Sequence, residues 1–393
     1  EGEIAFSNIL KSVLSATSPV QVLKNPIDGC QFISPEDNSF ISGNPNPRIT
    51  NLDFIPSPYT TGILDKFFDG TLTPIVETAR GCPFACNFCN AGDDYFNKIN
   101  KFSNEYVRDE IFYIAKKAVE VDVGHLTFAD NNFGMIPRDS ITTKLIHECQ
   151  EKYDWPRSLT IWTGKNSKER VIAATELLGD SLSLSMSVQS MDETVLKNIE
   201  RDNIRLEDYR AIAENMDKAG RPQHAEIIMP LPGETLETHL AGLNDLLDTR
   251  VSRIISLTIT MLHGTPYKDD QQFLKKYGYI KKFRLVPLDF SEIDGHRLFD
   301  VEEVGIATHD MSFREYVDAR VYLYIIDLCF NSEIFKPLQR YLIQKKIKIS
   351  EWISNIYSNL ENFSEGPIKI VRSFRDETIG ELWESEEELV KYF

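Results

Sequence analysis

The sequence predicts an α/β fold: a parallel sheet built from six βα units, followed by a helix-rich C-terminal region. From Thr73 to about Thr265, short β-rich runs alternate with helical patterns, and that alternation calls for crossover connections. Within the connecting segments, apolar residues recur at i, i+3, i+4 and i+7. In two of the strands one face is apolar and the other uniformly polar, which sets them apart from strands buried on both sides.

Residues 1 to about 70 are rich in Pro, Asn, Ser and Gly between Ser34 and Pro58, with one predicted helix from Ile4 to Leu14, and they read as a connector. The strands are expected at Pro74 to Thr78, His125 to Ala129, Leu159 to Thr163, Leu182 to Val188, His224 to Met229 and Arg253 to Met261. Val107, Ile111, Ile114, Ala115 and Ala118 mark one helix face, and Leu206, Tyr209, Ile212, Ala213 and Met216 mark another. Leu236, Leu240, Leu243 and Leu247 mark a third. Residues 268–393 read as helical, with aromatic anchors at Phe313, Tyr316, Tyr322, Tyr324 and Trp352 and an acidic tail at Glu381 to Glu388 expected as a solvated helix face.

In the fourth strand Leu182, Leu184, Met186 and Val188 alternate with Ser183, Ser185, Ser187 and Gln189. The sixth sets Ile255, Leu257, Ile259 and Met261 against Ser256, Thr258 and Thr260. With helices covering the apolar faces, the expectation is that both polar faces line a lumen wide enough for a hydrated ligand. By the same alternation His224, Glu226 and Ile228 share a face on the fifth strand, and Thr160 and Trp162 share one on the third. Glu226 is thus a carboxylate aimed at a cavity, and two readings stand: a functional group or one half of a core salt bridge.

A chain of 393 residues with 42% apolar content supports a large domain plus a smaller region. The net charge of −17 argues against a nucleic-acid partner, since phosphate backbones demand clustered Lys and Arg. Lys281 to Arg284 and Gln344 to Lys348 are the noticeable basic clusters, both expected as solvated element ends. The most apolar run, Val321 to Phe330, is too short to span a bilayer and reads as a buried helix. Scattered cysteines and the lack of a signal-peptide pattern lead us to expect a cytoplasmic protein.

The most informative segment is Glu77-Thr-Ala-Arg-Gly-Cys82-Pro-Phe-Ala-Cys86-Asn-Phe-Cys89-Asn-Ala-Gly92. Three thiolates within eight residues can hold three corners of an iron-sulfur cube and leave the fourth iron open to a small molecule. A structural zinc site wants four ligands, and the nearest histidine, His125, lies well downstream. A disulfide with one leftover thiol suits small secreted chains, and the other cysteines, Cys30, Cys149 and Cys329, are scattered singly.

Cys-x3-Cys-x2-Cys with Phe88 directly before the last cysteine resembles the signature of the radical S-adenosylmethionine (SAM) superfamily. The flanking Arg80-Gly81-Cys82-Pro83 and Phe88-Cys89-Asn90 resemble the branch with cobalamin-dependent radical SAM enzymes and methylthiotransferases. The resemblance implies a partial (βα)6 barrel over residues 71–267, with a 4Fe-4S cluster on Cys82, Cys86 and Cys89 and SAM bound at the open iron for reductive cleavage. It makes Asp130 and Asn131 the acceptor of the methionyl amine, although the family's familiar form is Gly-Gly-Glu and a plain turn with a helix cap remains the other reading. It assigns Ser187, Gln189 and Arg201 to the SAM ribose and carboxylate, a surface Arg at a helix end being the alternative. Ile228 and Gly233, in Ile228-Met-Pro-Leu-Pro-Gly233-Glu-Thr235, fall in the adenine-contacting stretch. Glu226 would bind a cationic part of SAM or move a proton from substrate.

By the same resemblance residues 268–393 enclose a small or medium organic substrate, and a flavodoxin- or ferredoxin-type donor supplies electrons. Glu1-Gly2-Glu3 and Asp53 to Tyr59 resemble the join to a cobalamin-binding domain, so cobalamin is implied only through a region not in this chain. The expected activity is radical chemistry or methyl transfer after SAM cleavage. The alternatives are a tRNA methylthiotransferase, which would need a second iron-sulfur site and a basic module, or a non-catalytic iron-sulfur or zinc module.

Overall fold

The computed structural model describes residues 1–163, 168–203, 205–218, 220 and 223–393. An N-terminal helix α1 (Gly2–Ser15), a short α2 (Pro19–Val22) and a small hairpin, β1 (Gln31–Ile33) and β2 (Phe40–Ser42), precede the sheet. The sheet strands are β3 (Ile75–Val76), β6 (His125–Phe128), β7 (Ser158–Trp162), β8 (Leu182–Gln189), β9 (Gln223–Met229) and β10 (Arg253–Thr258). They pair in parallel in the order β10-β9-β8-β7-β6-β3, the sequential order of an open barrel with β3 and β10 at its two ends. Between β3 and β6 a two-rung antiparallel ribbon, β4 (Ala79–Arg80) with β5 (Asn100–Lys101), is inserted.

Helices α3 (Asn104–Glu120), α4 (Asp139–Tyr153), α5 (Lys168–Leu178), the short α6 (Glu193–Asn198), α7 (Leu206–Lys218) and α8 (Leu236–Leu247) make the crossovers. Helix α3 starts where Ser103 accepts from Tyr106 N at 3.1 Å, and it buries Val107, Ile111, Ile114, Ala115 and Ala118, the face read from periodicity. Helix α8 opens on a reciprocal capping box between Thr235 and Thr238. The helix-facing sides of the strands, including Leu126, Phe128, Leu159, Ile161, Ala225, Ile227 and Ile254, join these helices in one continuous core.

In-register parallel neighbours present their side chains to the same side, so the lumen face can be followed across the sheet. Ile75 pairs with Thr127, Thr127 with Thr160, Ser187 with Glu226, Glu226 with Ile255, and Ile228 with Leu257. On β8 the inward serine is seen at Ser187, whose hydroxyl bonds Glu226, while the side chains of 183–186 lie outside the described residues. On β10 the expectation is reversed. Ile255 and Leu257 share the face of Glu226 and Ile228, whereas Thr258 turns outward to meet the Tyr316 hydroxyl at 3.0 Å. Alternation fixes that two faces differ but not which one a helix covers, and here Tyr316, from a helix beyond the barrel, brings a hydroxyl partner to the polar side. Leu257 stays 49% exposed, an apolar residue left facing an open interior.

The C-terminal region is not purely helical. After the short α9 (Pro266–Asp269) and α10 (Gln271–Tyr277) comes a long antiparallel hairpin of β11 (Ile280–Ile293) and β12 (His296–Ala307), then α11 (Phe313–Ile326), α12 (Lys336–Gln344), α13 (Ile349–Ser358), α14 (Glu365–Gly380) and α15 (Glu386–Tyr392). Its turn is Asp294-Gly295, both at positive φ, a strong short-range hairpin signal lying between alternating runs. The hairpin base continues the exit of β10 through Met261 N to Glu303 O at 2.8 Å and Gly305 N to Ile259 O at 2.9 Å. The Val321 to Phe330 run lies in α11 and one further turn; most of its α11 part and Phe330 are buried, as expected, whereas Asp327 and Leu328 are exposed, and among the described residues no helix is long and apolar enough to cross a membrane.

Candidate active site

The cysteine loop leaves β4 at Gly81, whose φ of +114° and lack of Cβ are both required, because a Cβ there would lie 2.3 Å from Lys98 O. Cys82 N then bonds Phe96 O at 2.8 Å, so the loop is pinned at its base. Further along, Cys89 N bonds Cys86 O at 3.1 Å and Gly92 N bonds Cys89 O at 2.8 Å. Gly92 must again be glycine, since a Cβ would approach Cys86 O to 2.3 Å. Cys82 and Cys86 are buried, Cys89 is exposed, and none of the six cysteines is in a disulfide. Among the described residues no three His, Cys, Asp or Glu side chains are gathered tightly enough to hold a single metal ion.

The loop docks on the C-terminal ends of several strands. Asn132, after β6, donates to Cys82 Sγ at 3.1 Å. Asn87 donates from its side chain to Asn198 O at 2.9 Å and from its backbone to Ile199 O at 3.2 Å, and Asn90 reaches His263 O beyond β10 at 2.6 Å. Phe88 packs with Ile228, Val195, Ile199, Leu231 and Ile259 in a small second core, so two expected cofactor residues meet there. Gly233 has φ of +82°, and Asn198, donating to Pro232 O at 2.9 Å, occupies the space a Cβ would need.

Asp130 does something other than wait for an ammonium. Its Oδ1 accepts from Thr78 N at 2.6 Å and Ala79 N at 3.2 Å, and its Oδ2 accepts from the Thr78 hydroxyl. Arg138 completes the bracket by donating to Thr78 O and Oγ1, each at 2.9 Å. Burial pushes the Asp130 carboxyl up, and the Thr78 and Ala79 bonds and the Arg138 charge oppose that rise. The carboxylate thereby ties the end of β6 to the strand entering the cysteine loop. Asn131 is exposed beside it, and the buried Asn132, which we did not single out as a site residue, is the member of the trio aimed at the thiols.

Arg201 is also internal, 5% exposed. It donates through Nε to Asn203 Oδ1 at 2.7 Å and through Nη2 to Ser187 O. Burial depresses its pKa, while the adjoining Cys86, Cys89 and Glu226 raise it. That places Arg201 beside both the thiol loop and the lumen carboxylate, which excludes the surface-Arg reading. Glu226 is partly buried, accepts from Ser187 Oγ and lies 3.4 Å from His224 Nε2. Across the lumen His125 meets Ser158 Oγ at 2.7 Å and Thr160 Oγ1 at 3.1 Å.

Around this loop four buried polar atoms have no protein partner: Asn87 Oδ1, Asn132 Oδ1, Gln189 Oε1 and Arg201 Nη1. Each such group costs roughly 1–3 kcal/mol when left unmet, a cost relieved by a polar ligand seated against the loop. Soft thiolates together with unspent amide oxygens and a guanidinium nitrogen are a donor set that fits an iron-sulfur cluster carrying an amino-acid-like ligand.

A parallel open barrel with three cysteines on the loop after its first strand is the arrangement of a radical SAM domain, and the chain carries such a domain. The family model, described as the Radical SAM superfamily, matches residues 76–246. The cobalamin-dependent radical SAM methyltransferase TokK of Streptomyces tokunonensis is 30% identical over 301 residues, which are 70% of this chain and 41% of that protein. The 2-(S-pantetheinyl)-carbapenam-3-carboxylate methyltransferase of Streptantibioticus cattleyicolor is 28% identical over 318 residues, 78% of this chain and 45% of the relative. The chain thus spans less than half the length of these curated relatives. The structure of the cobalamin-dependent SAM radical enzyme OxsB with aqua-cobalamin and SAM bound aligns with a TM-score of 0.54 at 14% identity, covering 98% of this chain and 65% of that one. It matches the fold well into the C-terminal region.

Proposed function

We propose that this chain is the SAM-cleaving and substrate-enclosing part of a radical SAM methyltransferase acting on a small or medium organic substrate. The observation that carries the reading is the three-thiol loop ringed by four buried, unspent polar atoms. Cys82, Cys86 and Cys89 would hold a 4Fe-4S cluster, which when bound supplies the electron for reductive cleavage of SAM. Arg201 Nη1 offers a charged donor to the SAM carboxylate, and Gln189 and Ser187 border the ribose. Asn132 steadies Cys82, and Asp130 holds the loop entry in place. Ile228 and Gly233 shape an apolar turn suited to adenine. Glu226, with His224 beside it, binds a cationic group or accepts a proton in the lumen.

The names of the relatives support cobalamin as a further cofactor, held by residues other than those described above, and a reducing flavodoxin- or ferredoxin-type donor in a cytoplasmic setting follows from the need for low-potential electrons. Anaerobic reconstitution with iron and sulfide, then dithionite and SAM, should give 5′-deoxyadenosine or S-adenosylhomocysteine. Iron content and the cluster's visible absorption should fall together in Cys82→Ala, Cys86→Ala and Cys89→Ala. A fully loaded cluster that yields neither product would refute the proposal.

A further inference from the structure

The two basic clusters of the sequence meet different fates. In the first, Lys281 pairs with Glu303 at 2.8 Å, Arg284 pairs with Glu302 at 2.8 Å, and Lys282 pairs with Glu384, so its charge is spent inside the protein. In the second, Gln344, Lys346, Ile347 and Lys348 line one side of a groove of about 950 Å3 at the end of the barrel where β9 and β10 begin, opposite the cysteine loop.

Six basic side chains converge there from three segments: Arg210 on α7, Arg250 before β10, and Lys336, Arg340, Lys346 and Lys348 on and after α12. Three acidic residues face them, but two are already engaged. Asp217 lies 4.0 Å from Arg250, and Asp248 accepts from Ser350 N and Oγ and lies 3.8 Å from Lys348. That leaves Asp245 to set against Arg210, Arg340 and Lys346, none of which makes an ion pair among the described residues. The floor is apolar, formed by Val251, Phe330, Ile343 and Ile347.

In a chain of net charge −17, a concave site with surplus positive charge focuses anions. Its size falls within the roughly 300–1,000 Å3 of small-molecule sites, and an apolar floor below a cationic rim matches a molecule with an apolar body and an anionic head. We infer that this groove binds a phosphorylated small molecule with an apolar or aromatic body, of nucleotide size, at a site separate from the SAM pocket.

The test is calorimetric titration of the full chain with ADP and with inorganic pyrophosphate. We expect saturable binding of ADP that weakens as salt rises, with pyrophosphate at least tenfold weaker because it lacks the body that would cover the floor. The double variant Arg340→Glu/Lys346→Glu should weaken ADP at least tenfold. Both residues are exposed, and the milder Arg340→Gln/Lys346→Gln, checked by circular dichroism, separates lost binding from lost folding. No ADP binding, binding unchanged in the variants, or pyrophosphate binding as tightly as ADP would each overturn the inference. Because the readout is binding, failure of the radical chemistry leaves this result standing.

Discussion

At the residue scale, Asp130 carries a testable distinction between holding the protein together and holding a ligand. Three protein donors converge on its carboxylate in a site 4% exposed. Removing it strands the Thr78 and Ala79 amides and takes away one of the two carboxylates beside Arg138, leaving Asp139 at 3.9 Å. Asp130→Ala should therefore destabilise the protein by at least ~2 kcal/mol in urea unfolding with no SAM present, and Asp130→Asn, which keeps one acceptor, should cost less. Unchanged stability in Asp130→Ala would mean that the carboxylate acts only on ligand. Asn132 shows why sequence could not rank this trio. Adjacent polar residues after a strand look alike until the backbone turns one toward the thiols, one to solvent and one into the core.

At the element scale, the cysteine loop and the hairpin each depend on a local feature. Gly81→Ala places a Cβ against Lys98 O in a φ region that L-residues rarely adopt, which should cost about 2 kcal/mol and lower iron loading on reconstitution. The hairpin is fastened to the barrel by Glu303, held by Lys268 at 2.6 Å and Lys281 at 2.8 Å. Burial would raise the Glu303 pKa, but the two lysines win and hold it below the ordinary value. A lowered folded-state pKa contributes stability above the unfolded value, near ~4.3, and that contribution disappears as pH falls through the folded value. Glu303→Gln should thus cost about 1–2 kcal/mol near pH 7, and the difference from the parent should shrink as pH falls below the unfolded value and vanish once pH has passed the folded one. Equal denaturation midpoints at pH 7 would contradict that fastening. The hairpin itself is readable from Asp294-Gly295 between alternating runs, a signal that the reading of residues 268–393 as helical leaves unused.

At the scale of the whole molecule, the orientation of β10 decides what the barrel interior is made of. Polar side chains line its middle, from His125 and Thr160 to Ser187, His224 and Glu226, while Ile75, Ile255 and Leu257 make its two flanks apolar. Leu257→Ala should cost under ~1 kcal/mol because that side chain is half exposed in the lumen, whereas Ile254→Ala, 2% exposed against the helices, should cost roughly 2–4 kcal/mol. Chemical denaturation of the two variants measures this directly, and the opposite order would restore the inward-serine arrangement on β10.

The sequence by itself determined the six βα units, the helix faces, the cysteine loop and its setting after the first strand, because periodicity, caps and thiol spacing are local. The tertiary structure alone decided which side of β10 faces the lumen, since Tyr316, 58 residues beyond Thr258, supplies the hydroxyl that makes a polar outward face tolerable. It also decided that Asp130 and Arg201 are built into the protein and that Asn87, Asn132, Gln189 and Arg201 keep one atom each unspent. Hydrogen-bond satisfaction is a property of groups brought together from distant segments, and no reading along one chain can count it.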